Sequence, residues 1–203
     1  MYTQSTALSK PSQTNAHLPF FELTDDLYIA QGNRRVCYMH PTDNTLCVKV
    51  LKPIFKSDKQ LAREIKYAKR YQQLKVSEKH LAGFKGVIHS NKGTGGVFTL
   101  VRDANGDISR TLDAYIAQGA TQSQVKILTD NLKDYLMHTP IQLSDLAIDN
   151  VVVRRGLEHD EIVIIDGAVN SDFFKLCDYS ETFRKKKIAR KWQRFMSSIE
   201  VQY

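Results

Sequence analysis

The sequence has few cysteines. Cys37, Cys47 and Cys177 are odd in number and never spaced C-x-x-C, so neither a disulfide framework nor a zinc knuckle follows from them. His40, His89, His138 and His159 are scattered and lack the H-E-x-x-H spacing of a helical metal site, so they read as surface or turn residues. No long apolar run is present. Residues 1–18 are polar and rich in Ser, Thr and Gln, without the apolar centre of a signal peptide, and no later stretch is long enough to span a bilayer. A reduced, cytoplasmic compartment is therefore expected. There is no internal repeat and no low-complexity linker.

A chain of 203 residues is long enough for one ordinary domain, or for two small lobes sharing a cleft. With 42% hydrophobic and 25% charged residues, a packed core is expected. The 29 Lys and Arg exceed the 22 Asp and Glu, for a net charge of +7. Such an excess suits an anionic partner, whether nucleotide phosphate, nucleic acid or acidic lipid, and does not choose between them.

Local patterns divide the chain. Residues 1–19 read as a flexible leader with little apolar surface to offset ordering entropy. Strands are expected at 27–30, 35–39 and 46–51, the last two forming a hairpin around the turn residues 40–44. A helix follows, capped by Ser57 and Asp58, with Leu61, Ile65, Ala68 and Leu74 as its apolar face. Two further strands, 86–89 and 97–101, flank a glycine-rich turn at 91–96. Beyond a turn-rich boundary near 102–107, helices are expected at 110–117 and 122–137, the latter buried through Val125, Leu128, Leu132 and Leu136. Strands at 150–153 and 162–165 come next, and then a final helix from Ser180 to about Val201. Its stripe is Ile188, Trp192, Phe195 and Ile199.

Three patterns carry chemistry. In Ser144-Asp145-Leu146-Ala147-Ile148-Asp149-Asn150-Val151, an Asp is followed after four residues by an Asn and a β-branched run. An Asp so placed can orient an acceptor hydroxyl and take its proton, while the Asn reaches a magnesium on the phosphates. Taken alone, the pattern equally suits a capped turn entering a strand. Shortly after it, Ile162-Val163-Ile164-Ile165-Asp166-Gly167 sets a carboxylate at the end of an apolar strand, which suits a hard cation. Asp-Gly is also a common turn, but the ordered pair is more specific than either part. In the first half, Cys47-Val48-Lys49-Val50-Leu51 offers Lys49 to the phosphates, and Glu64 on the following helix is expected to pair with it.

In this order, the residues from about Phe20 to Lys175 resemble the protein-kinase-like superfamily, and in small size the chain is similar to the bacterial YrbL family of PhoP regulatory network proteins. The resemblance implies an α+β, two-lobed kinase-like fold. An N-lobe at 20–102 would hold an antiparallel sheet and one helix, and 103–203 a reduced, mainly helical C-lobe ending in a basic helix. It implies ATP and Mg²⁺ in the cleft near 99–102, with Asp145 catalytic, Lys49 and Glu64 toward the nucleotide, and Asn150 and Asp166 on the metal. The expected Gly-rich loop, residues 30–35, keeps only Gly32, which still permits a tight turn, and Arg34 or Arg35 supplies charge there instead. Leu143 and Ser144 stand where His and Arg are usual, and no A-P-E follows Asp166, so the expected acceptor is not a protein.

Three functions stay open on these residues. The leading one is an ATP- and Mg²⁺-dependent phosphotransferase on an unknown acceptor. A nucleotide-binding pseudokinase or regulatory module is the second, and a basic nucleic-acid-binding module the third. The third rests on net charge and on Arg184, Lys185, Lys186, Lys187, Arg190, Lys191 and Arg194, a face that suits nucleic acid or an anionic membrane. The blander reading of that face, preferred here, is a solvated helix surface.

Overall fold

The computed structural model describes residues 19–57, 59–172 and 176–203; residues 1–18 of the expected 1–19 leader and the Asp58 part of the helix cap lie outside them. Nine strands and five α-helices are described, and the fold is α+β. The first strands are β1 (Phe20–Phe21), β2 (Tyr28–Gln31), β3 (Arg35–His40) and β4 (Asp43–Leu51). Helix α1 (Lys59–Gln73) precedes the hairpin of β5 (Phe84–Ser90) and β6 (Gly93–Thr99). These six strands form one sheet in the order β1-β5-β6-β4-β3-β2.

The sheet differs from expectation at its edge and in its turns. All neighbours are antiparallel except β1, which runs parallel to β5. Both hairpin turns are shorter than the turn-rich segments suggested, since His40 pairs with Asp43 and Ser90 with Gly93. Gly95 and Gly96 are strand residues. A Cβ on Gly96 would lie 2.7 Å from Leu61 Cδ1, so the missing side chain lets α1 lie close on the sheet. Helix α1 is rotated from the expected face. Leu61, Glu64, Tyr67 and Tyr71 are buried, Ile65 and Ala68 are half-buried, and Leu74 lies beyond the helix and is exposed.

The rest comprises β7 (Arg110–Thr111), α2 (Leu112–Ala117), α3 (Gln122–His138), β8 (Val151–Arg154), β9 (Glu161–Ile164), α4 (Leu176–Tyr179) and α5 (Glu181–Glu200). Strands β7, β8 and β9 make a second, three-stranded sheet. Arg110 and Thr111, expected in a helix, instead pair with Val153 and Val152. Helix α3 opens on a capping box in which Thr121 and Gln124 satisfy each other's backbone amides. Its expected stripe, Val125, Leu128, Leu132 and Leu136, is buried. So is that of α5, which is N-capped by Ser180.

Four apolar clusters form among the described residues, two of them larger than the others. Leu23, Tyr38, Val48, Val50, Ile88 and Val97 pack on the six-stranded sheet. The larger core joins α2, α3 and α5 to β8 and β9, and takes in Tyr67 and Tyr71 of α1. The chain between α1 and β5 ties to the second sheet: Ala82 N–H donates to Ile164 O at 2.9 Å, and Ile164 N–H donates to His80 O at 3.0 Å. Those contacts set the six-stranded sheet over the ends of β8 and β9.

Candidate functional site

A cleft of about 1060 Å³ opens between the two sheets, at the upper end of the range of about 300–1,000 Å³ usual for ligand pockets. Gly32, Arg34, Lys49, Asp145, Asn150 and Asp166 all line it. Residues up to 134 positions apart in the chain, from Gly32 to Asp166, thus meet in one space. Glu64 is the exception: it lines a smaller cavity of about 80 Å³ that Ile165, Asp166 and Gly167 also border.

The roof of the cleft is basic. Lys49 stands mid-strand on β4, its ammonium 2.5 Å from the Ile165 carbonyl and 4.8 Å from the centre of the Phe98 ring. The expected Lys49–Glu64 pair is not formed. Glu64 is instead gripped on both carboxylate oxygens by the Arg35 guanidinium, one bond being 2.8 Å, and both side chains are buried. The fork of Arg35 matches a carboxylate in a way that a lysine ammonium does not, which explains the choice of partner. Gln60, one turn before Glu64, donates to Glu64 and to Asp166, each at 3.2 Å. The Arg35 guanidinium also lies 3.9 Å from Asp166.

Gly32 and Arg34 form the turn between β2 and β3. Gly32 N–H donates to Arg35 O at 2.9 Å. No atom lies near where a Cβ would stand, and the backbone there is not left-handed, so this turn does not require glycine. Arg34 is exposed, 4.2 Å over the Phe55 ring, and contacts the Ser57 carbonyl. Cys37 and Cys47 line the roof beside Lys49. The hydrogen bond between these thiols, with burial, pushes Cys37 up; the same bond, aided by the Lys49 charge, holds Cys47 below the usual thiol range.

The floor is acidic and built at strand ends. Asp145 is exposed and accepts from the Asn150 amide at 3.0 Å, which leaves the Asn150 amide oxygen turned to its other side. Asn150 N–H donates to Ala147 O, and Ile165 N–H to Asn150 O, each at 3.0 Å. Asp166 accepts from the Gly167 amide at 2.6 Å and keeps 31% of its side chain exposed. Gly167 has φ +82°, and a Cβ there would lie 2.5 Å from the Asp145 carbonyl oxygen. Only glycine brings these two acidic turns so close.

A family model described as PhoP regulatory network protein YrbL matches residues 21–200. The chain belongs to the YrbL family. It is 29% identical over 183 residues to the YrbL protein of Escherichia coli (strain K12), covering 86% of each chain, and the same figures hold for YrbL of Shigella flexneri.

Several residues of this YrbL-family site were not singled out from sequence. Lys52, Gln60, Arg63 and Asp149 also line the cleft. No group of three or more His, Cys, Asp or Glu suited to a metal occurs among the described residues. Among the described residues, no helix is long and apolar enough to cross a membrane. The basic face of α5 is not a solvated surface throughout: Arg184 and Lys187 are buried, and Lys191 is half-buried. Their spacing of three and four residues, in step with Ile188, Trp192 and Phe195, was the sequence signal for an inward face.

Proposed function

We propose that this YrbL-family chain has a kinase-like, two-lobed fold and acts as an ATP- and Mg²⁺-dependent phosphotransferase on a small, non-protein acceptor. The observation that carries the reading is the meeting of Lys49, Asp145, Asn150 and Asp166 in one large cleft. Residues 20–102 would form the N-lobe and 103–203 the C-lobe, with the cleft between them. A reduced, cytoplasmic setting accords with three free cysteines.

The donor set fits magnesium. Mg²⁺ is commonly held by one or two protein oxygens plus substrate phosphates, so the lack of a larger acidic cluster among the described residues is no obstacle. Asp166 and the Asn150 amide oxygen would hold it. When bound, the ion supplies the positive charge that offsets the phosphates. Lys49 directs its ammonium to the phosphates from the roof, and the exposed Arg34 adds positive potential at the same end, whereas Arg35 is spent on Glu64. Asp145, exposed on the opposite wall, orients the acceptor hydroxyl and takes its proton.

Thermal shift with ATP tests the reading. ATP with Mg²⁺ is expected to raise the melting temperature of the wild type, because the ligand binds only the folded chain. Asp166→Asn removes the magnesium-dependent part of that rise. Asp145→Asn keeps binding and lowers turnover by about 10²–10⁴-fold. A wild type indifferent to ATP at millimolar concentration refutes the reading.

A second reading has one observation in its favour. Glu64 is committed to Arg35 and Lys49 to the Ile165 carbonyl, an arrangement suited to a nucleotide-binding module without transfer. Binding of Mg-ATP with no turnover against any class of acceptor would select it. The nucleic-acid reading is weakened by the inward course of Arg184, Lys187 and Lys191.

A further inference from the structure

The C-terminal helix presents three cations at i, i+3 and i+7, and each is consumed inside the molecule. Arg184 donates to the carbonyls of Leu136 at 2.8 Å and Met137 at 3.2 Å, closing the C-terminal end of α3. Lys187 binds Asn170 Oδ1 at 3.0 Å and Asp172 Oδ2 at 2.7 Å, in the segment that follows Asp166. Lys191 donates to the Ser144 carbonyl at 2.6 Å, in the residue that precedes Asp145. The two lysines, one helical turn apart, therefore hold the chain on both sides of the acidic floor.

Ser144 is the joint between these parts. Its N–H and its Oγ both donate to Gly167 O, at 2.8 Å and 3.1 Å, while its own carbonyl faces Lys191. Asp145 thus leaves a residue fixed from two directions, by the Asp166–Gly167 turn and by α5. We infer that Lys191 is a positioning residue for Asp145, its ammonium holding the Ser144 carbonyl and so fixing the Asp145 loop against the Asp166–Gly167 turn. The effect on turnover rests on the phosphotransferase reading; the effect on the loop does not. The half-buried Lys191 ammonium is held below the usual lysine range by that burial, with Lys187 adding to the effect and Asp145 and Asp172 opposing it. Displacing a catalytic group by about 1 Å costs on the order of 10²-fold in rate, so a loop freed at Ser144 is enough to disable Asp145 without touching the nucleotide.

The experiment uses the full chain with Lys191→Met, Lys191→Gln and Lys191→Arg. Hydrogen exchange is read at the Ser144 amide, whose bond to Gly167 is the joint, with the Ile188 amide of α5 as the internal reference. Lys191→Met is expected to speed Ser144 exchange by about tenfold relative to Ile188, with Lys191→Arg close to wild type. Mg-ATP affinity by calorimetry stays within about threefold in all variants, since Lys49 and Asp166 are untouched. For Mg-ATP turnover with water as acceptor, kcat falls about 10–100-fold in Lys191→Met at unchanged KM, and Lys191→Arg restores most of it. If Lys191→Met does not fold, the contrast between Lys191→Gln and Lys191→Arg decides by the same readouts. Wild-type exchange at Ser144 in Lys191→Met, or in Lys191→Gln, overturns the inference. A wild type that binds Mg-ATP without turning it over refutes the phosphotransferase reading instead, and the exchange readout still decides whether Lys191 holds the loop.

Discussion

The two sheets deliver their polar residues to the cleft in different ways. In the six-stranded sheet, Lys49 stands mid-strand, in register with Cys37 on one side and Gly96 on the other. Its direction follows from the pleat, and losing one neighbouring contact leaves it in place. In the three-stranded sheet, Asn150 precedes β8 and Asp166 follows β9, so both stand outside the ladder. Their positions hang on a few specific contacts, among them Ser144 to Gly167, Asn150 to Ala147 and Ile165 to Asn150. A residue within a ladder is held by many weak bonds, whereas one at a strand end depends on a few specific ones.

That contrast predicts unequal costs for similar changes. The largest is expected for Gly167→Ala, on the strand-end side. It forces a side chain into left-handed backbone, and its Cβ meets the Asp145 carbonyl, a backbone atom that cannot swing aside. Urea unfolding is expected to show a loss of about 3–5 kcal/mol. A loss under about 1 kcal/mol would mean that the two acidic turns are not tightly coupled.

Next comes Arg35→Met, which leaves the buried Glu64 carboxylate without its main partner. Removing one side of a buried pair costs about 3–5 kcal/mol, and the lower end is expected here because Gln60 remains beside Glu64. The double variant Arg35→Met with Glu64→Leu should recover most of the loss. Failure to recover would show that Arg35 matters more for Asp166 than for Glu64.

Gly96→Ala, inside the six-stranded ladder, is expected to cost only about 1–2 kcal/mol. Its Cβ meets the Leu61 and Phe98 side chains, which can shift, and its backbone angles suit any residue. A larger loss than for Gly167→Ala would reverse the comparison between the sheets.

The smallest effect concerns pH. His80, which is 4% exposed, bonds through Nδ1 to the Ile162 carbonyl at 2.6 Å, on the chain that ties α1 to the second sheet. Burial holds its pKa below the ordinary 6.5. The unfolded chain therefore takes up a proton more readily than the folded one. Stability is full above pH 6.5 and declines as the pH falls through and below that value. His80→Gln should flatten this part of the stability profile, measured by urea unfolding between pH 7.5 and 5, as about 6.5 is the unperturbed histidine value. An unchanged slope would place the acid sensitivity elsewhere.

Much of the fold was legible in local pattern. The stripes of α3 and α5 were visible because four residues at helical spacing must share one buried face. Strands β3, β4, β8 and β9 were visible as strand-favouring runs bounded by turn residues. The ordered residues Lys49, Asp145, Asn150 and Asp166 were found from spacing, and all line the cleft. Less legible was α1, where the buried face includes Glu64 because Arg35 neutralises it; apolar periodicity alone pointed instead to Ile65 and Leu74. Strand β7 was missed because two residues, Arg110 and Thr111, are too few for a period to show, and only their partners on β8 make them a strand. The cations of α5 were read as solvent-facing because charge usually marks the wet side of a helix, whereas these three meet oxygens brought from α3, from Ser144 and from Asn170 and Asp172.

Local sequence determines most of the helices and the longer strands, the apolar faces of α3 and α5, and the order in which the polar residues of the cleft occur. Those properties depend on neighbours within a few positions, where periodicity and turn chemistry act. Which charge meets which is set by long-range packing. Glu64 takes Arg35, 29 positions away, Lys49 reaches a carbonyl 116 positions on, and Lys191 holds Ser144 across 47. The physical reason is range. A hydrogen bond or buried ion pair requires contact within about 3 Å, and no local rule says which distant residues will be brought that close.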